Sequence, residues 1–246
     1  MRSILRLLGL LLFFGLVFPV GAQVKRPQFR PAVLGSGPDS LINRIDTKDL
    51  LKKGQKDGAV MFCAAVAPNG DAQAAWTYRA MPGTDALEEE LTKRLEGVKF
   101  TSPLYNYQPV GVLLYGTAVF SATDSPHIQI FLNQDPKELK AASDFVAPQP
   151  VIGADSKFDG LTPPENESTV PLTAIVDLGL KVNREGQLQD LRVLTEEPPL
   201  LGYAAAAVAD FREAKFIPAF RAGDPDDCDI VQPICYKPAE SAEPEE

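Results

Sequence analysis

The sequence predicts an α+β fold built from two tandem β-β-α-β units, each a helix laid on an antiparallel sheet. Three observations carry this expectation. A strand-turn-strand pattern with glycine at its tip occurs twice, around Gly70 and Gly186. Gly70 lies 30 residues before Phe100 and Gly186 lies 30 residues before Phe216, so Lys99-Phe100 and Lys215-Phe216 fill one place at an offset of 116. At that offset Val60, Phe62, Ala64 and Val66 match Val176, Leu178, Leu180 and Val182, alternate residues that share one face of a strand.

Taken in chain order, residues 1–22 read as a signal peptide. Arg2 and Arg6 precede the apolar run Leu7 to Val20, and Val20-Gly21-Ala22 offers small residues before a cut ahead of Gln23. The run is shorter than the roughly 20 residues a spanning helix needs. The alternative is an uncleaved inner-membrane anchor. No cysteine stands at the cut for lipid attachment.

The first unit, 31–133, has its hairpin at Gly58 to Pro82, where Asn69-Gly70 supplies the positive φ of a tight turn. A helix follows over Thr84 to Glu96, with Thr84 as its N-cap and acids in its first turns. The unit closes with a strand over Val110 to Phe120, and the alternation of His127 to Leu132 adds one more. Residues 134–170 hold Pro136, Pro148, Pro150, Pro163 and Pro164 and read as a connection and lead-in, in which Val151-Ile152-Gly153 echoes Val33-Leu34-Gly35. The second unit, 171–238, repeats hairpin, helix (Leu200 to Ala214) and final strand (Asp229 to Tyr236), and 239–246 is an acidic tail.

Composition bounds the function. With 24 Lys+Arg against 33 Asp+Glu, a net charge of -9 across 246 residues argues against nucleic acid or an anionic membrane surface as partner. Removing 1–22 takes away two arginines and leaves -11. Three cysteines and one histidine exclude a disulfide-dense scaffold and a zinc-finger array.

The second copy resembles the C-terminal domain of the TonB family, the periplasmic end of the system that energises outer-membrane transport. The resemblance rests on Val176 to Val182, Arg184-Glu185-Gly186, Leu188, Leu191, Val193-Leu194, Pro198 and Phe211-Arg212-Glu213-Ala214-Lys215-Phe216-Ile217-Pro218. Gln149-Pro150 resembles the start of the family's lead-in, with Val151-Ile152 where the pattern has Tyr-Pro. The first copy is a degenerate version, carried by Val66 to Gly70 and Lys99-Phe100. The resemblance implies binding by strand addition, in which main-chain hydrogen bonds to an extended segment give affinity. The edge it implies is the closing strand, with Val231, Gln232, Ile234 and Tyr236 as partner-strand contacts and Pro233 marking an exposed edge or a break. A TonB-type transducer carries a membrane helix with a functional histidine and a long spacer. Met1 to Ala22 contains no histidine, and about ten residues separate the cut from Pro31. The expectation is therefore a noncatalytic periplasmic or secreted protein, using TonB-like modules to bind a protein partner or itself. That partner is an outer-membrane receptor segment or the other repeat. The alternative is an energy transducer or accessory of outer-membrane transport.

Other chemistry is sparse, and no cofactor or metal is expected. Cys228 and Cys235 are separated by roughly 23 Å of extended chain, so they form a disulfide only if Pro233 turns it. Cys63 lies on the face opposite Val60, Phe62 and Val66, as a packed residue or facing the other copy. His127 lies near Asp124 and Ser125, but spacing within one loop does not establish the spatial roles of nucleophile, base and oxyanion hole, and it reads as a surface or strand-start residue. Asp224, Asp226, Asp227 and Asp229 lack the calcium-loop pattern and read as a solvated acidic loop. Asn166-Glu167-Ser168 matches a glycosylation sequon.

Overall fold

The computed structural model describes residues 28–164 and 172–237, and within them the fold is α+β with every strand pair antiparallel. The signal segment 1–22, the sequon and the tail 239–246 lie outside the described residues. After an extended lead-in come the single-turn α1 (Leu41–Arg44) and α2 (Thr47–Lys52). The Asp46 carboxylate accepts the N–H groups of Lys48 and Asp49, satisfying two donors that the start of α2 leaves open. β1 (Gly58–Val66) and β2 (Ala72–Ala80) then form the first hairpin.

Leu87, Leu91 and Leu95, one turn apart, bury the inner stripe of α3 (Asp85–Leu95) against this sheet. Thr84 precedes α3 without capping it through its side chain, because its hydroxyl donates to the Met81 carbonyl at 2.6 Å. The short ribbon β3 (Leu104–Tyr105) and β4 (Gln108–Pro109) leads into the long β5 (Gly111–Ser121). β6 (His127–Phe131) follows, as its alternation predicts, and α4 (Pro136–Ala141) starts behind an Asp135 cap.

β7 (Gln149–Ile152) opens the second copy, followed by β8 (Ala174–Val182), β9 (Leu188–Glu197) and α5 (Tyr203–Phe211). The short β10 (Phe216–Ile217), β11 (Ala219–Arg221) and β12 (Asp224–Asp226) precede the closing β13 (Cys228–Tyr236). The first sheet runs β2-β1-β5, with β6 and β7 both against the far side of β5, and β10 extends it by pairing with β7. The second sheet is β13-β8-β9.

The offset of 116 holds through every paired element. The β1–β5 ladder sets Gly58 opposite Phe120, and the β8–β13 ladder sets Ala174 opposite Tyr236. The hairpins break register at matching places, between Met61 and Phe62 and between Asp177 and Leu178. Isolated bridges Arg30–Leu104 and Leu34–Phe100 recur as Val146–Phe220 and the Pro150–Phe216 pair. Even the ribbon tips agree, with positive φ at Asn106 and Tyr107 and again at Ala222 and Gly223. The second copy therefore begins near Val146, inside the proline-rich stretch. Its lead-in phase also corrects the sequence echo, because the counterpart of Leu34 is Pro150 rather than Ile152: strand pairing to the Phe decides the alignment, not side-chain similarity.

The hairpin glycine and the Phe keep their spacing because they bond to each other. Phe100 N donates to Gly70 O at 2.8 Å, and Phe216 N to Gly186 O at 2.9 Å. Both glycines have positive φ, and a Cβ on either would collide with the facing Phe carbonyl.

Each copy has a core between sheet and helix, and the cores share members. Cys63, Leu113 and Tyr115 of the first sheet belong to the second core with Val176, Phe211 and Phe216, while Ile217 belongs to the first. The buried Gln149 side chain bonds both polar groups of Ala32, accepting from its N–H at 2.8 Å and donating to its carbonyl at 2.7 Å. Two units are present, but each is completed by the other.

Candidate edge-strand site

β13 pairs with β8 on one side only, and among the described residues no backbone hydrogen bond reaches its outer edge. The corresponding edge of β5 is filled. There β6 pairs from Thr117–Phe131 to Ser121–His127, and β7 pairs at Gly111 and Val112. At the offset of 116 the β6-covered stretch, Thr117–Ser121, corresponds to 233–237. The ladder runs through Pro233 without a register shift, which an edge strand tolerates when the ring nitrogen lies on its unpaired side.

The four partner-strand residues divide by face. Val231 points to solvent with 53% of its surface exposed, whereas Gln232, Ile234 and Tyr236 are buried beneath α5. The latter three could meet an incoming strand mainly through their backbone. Gln232 has a buried Nε2 without a partner among the described residues. The Tyr236 hydroxyl donates to Asp210 Oδ2 at 3.3 Å, and the same oxygen accepts from Thr162 N at 2.8 Å. Burial raises the pKa of both the Asp210 carboxyl and the Tyr236 phenol.

At the C-terminal end of β13 lies a cavity of about 170 Å³ lined by Trp76, Leu161, Pro163, Cys235, Tyr236 and Lys237. Cys235 and Tyr236 point to opposite faces of the strand, so the cavity sits at its rim rather than under either face. Sequence reasoning missed Trp76, Leu161 and Pro163. The signal available was positional: Tyr236 stands 116 residues after Phe120, which faces the β6 residue Ile128 across the ladder.

The remaining candidates do not converge on a reaction centre. Cys228 and Cys235 stand at opposite ends of unbroken β13 as free thiols, so the bridge considered between them is not made, because Pro233 does not turn the chain. Cys63 is fully buried against the second copy's core. Burial pushes all three thiols up, Cys228 to about 12, which disfavours the thiolate form. His127 is exposed at the start of β6, its Nδ1 3.4 Å from the Ser125 carbonyl. Asp226 and Asp227 are held by Arg221 and Arg184, and Asp229 faces Lys181 across the ladder. Among the described residues no three His, Cys, Asp or Glu side chains are grouped to hold a metal, and no helix is long and apolar enough to cross a membrane.

No protein-family model, curated protein or solved structure matches the chain.

Proposed function

We propose that the protein is an exported, noncatalytic binding protein that takes up an extended segment of a protein partner as an added strand on the outer edge of β13. The observation that supports this most is the difference between the copies. In the first, the chain covers the edge of β5 with its own β6; in the second, the matching edge of β13 has no strand beside it among the described residues. An uncovered edge offers a row of main-chain donors and acceptors, which is the basis of strand addition.

Among the described residues no named strand lies on the outer edge of β2 or of β9, where only the strand starts are held, by the Asp71–Lys99 and Gln187–Lys215 bridges; this is so in both copies. β9 additionally carries Asp190, Arg192, Glu196 and Glu197, the charges that protect an edge from pairing. The likeness to TonB C-terminal domains, whose partners are receptor segments, points the same way and makes an envelope protein the natural partner class.

Hydrogen exchange tests the reading. With a captured partner or an extended peptide bound, amides of Val231 and Cys235 should exchange at least ten times more slowly, while those of β2 and β9 stay unchanged. If these β13 amides are already protected in the free protein, or if binding protects a different edge, the proposal fails.

A further inference from the structure

Resting on that reading, we infer that the strand accepted by β13 runs antiparallel to it and anchors itself by one branched aliphatic side chain in the cavity between Tyr236, Leu161, Pro163 and Trp76. The first copy shows the seat occupied. Ile128 stands opposite Phe120 on β5 and is buried in one core with Ile45. Moving 116 residues on replaces Phe120 by Tyr236, which lines the cavity together with Leu161, a lead-in residue that packs against the second core as Ile45 packs in the first. Dry cavities of about 150 Å³ accept a benzene-sized group. The 170 Å³ here therefore admits an Ile, Leu or Val side chain.

The same template fixes register and pattern. Beside β5, β6 reads His-Ile-Gln-Ile-Phe, with Ile128 and Ile130 turned to the helix side and His127 and Gln129 exposed. Ile130 stands opposite Ala118, whose counterpart is the larger Ile234. The second inward position of a guest strand is accordingly the tighter one, and the residue opposite Tyr236 is the anchor. Lys237, at the mouth of the cavity, lies beside the N-terminal end of an antiparallel guest and favours an acidic residue there.

The probe is a capped peptide with the sequence of residues 125–133, Ser-Pro-His-Ile-Gln-Ile-Phe-Leu-Asn, titrated into the full chain and followed by amide NMR. Binding should shift Cys235, Tyr236 and Lys237 together with the Trp76 indole. Replacing the peptide's first isoleucine by Asp, or reversing its sequence, should weaken binding at least tenfold. Equal binding of all three peptides along β13 would overturn the anchor and the orientation while leaving strand addition standing. Shifts confined to Thr117–Ser121 would mean exchange with native β6 and also count against the inference. If no extended peptide of any sequence perturbs β13, both the inference and the proposal beneath it are lost.

Discussion

On the back face of the first sheet, turned away from α3, stand Cys63, Ala65, Trp76, Tyr78, Leu113 and Tyr115; the same positions of the second sheet hold Gly179, Lys181, Arg192, Leu194, Asp229 and Val231. The ladders beneath them are identical in register, so the backbone did not require this change. Cover did. Cys63 is 0% and Tyr115 4% exposed because the second copy lies over them, whereas Leu194 and Val231 remain 43% and 53% exposed. An apolar face that is covered contributes about 25 cal/mol per Å². Left open, it would recruit another module. Charges at these positions make this part of the second back face a solvated end, as the terminal units of repeat proteins require, while Asp177 and Cys235 on the same face are covered.

The deepest test of the equivalence lies at the hairpin tips. Gly70→Ala and Gly186→Ala should each cost about 3 kcal/mol or more, since positive φ and a clash with a backbone carbonyl act together. Gly54→Ala is the control: its φ is +81 but nothing lies within 4 Å of the added carbon, so about 1 kcal/mol is expected. Denaturant melts of the three variants decide it. Equal losses would break the claim that the Gly–Phe clasp locks each copy.

A smaller effect concerns how the copies fill the same space. The first copy sets Phe62 opposite Gly116; the second sets Leu178 opposite Gln232. A Cβ on Gly116 would meet the Phe62 ring. Gly116→Ala should therefore cost about 1–3 kcal/mol by overpacking, and Phe62→Leu about 1–2 by leaving a void. Together they should cost at least about 1 kcal/mol less than their sum. Strict additivity in a double-mutant cycle would show that the exchange is not compensatory.

The smallest effect is the ion pair between the copies. Arg79 holds Asp177 through two bonds of 3.0 Å. The Arg79 side chain is 36% exposed, so screening limits the coupling to about 1 kcal/mol. A cycle of Arg79→Ala with Asp177→Ala should give that value at low salt and less at high salt. Zero coupling at both would leave the copies joined by apolar contacts, the β5–β7 ladder, the Ala147–Leu132 backbone bond, the Arg221–Glu138 pair and Gln149.

Much of the repeat was legible because its markers are local or bonded at fixed distance. Gly70, Gly186 and the two Lys-Phe pairs announced the offset through the hydrogen bond that ties them, and β6 followed from simple alternation. The lead-in phase differs from the sequence echo because Val-Leu-Gly and Val-Ile-Gly look alike, while the pairing of Pro150 with Phe216 is made between residues 66 positions apart. The closing strand was placed almost to the residue. Its rim cavity was hidden, since Trp76, Leu161 and Tyr236 come from three distant segments.

The sequence by itself determined the α+β class, the duplication and the strand faces, because turn chemistry and period-two burial act over a few residues. Only the tertiary structure decided that β6 covers β5 while no strand among the described residues covers the outer edge of β13, that one back face is buried and much of its twin solvated, and that Cys228 and Cys235 stay apart. Those outcomes depend on which surface of one copy comes to rest on the other. Two nearly equal local patterns cannot encode that choice separately: it is made by the differences between them, and these take effect only when the copies pack.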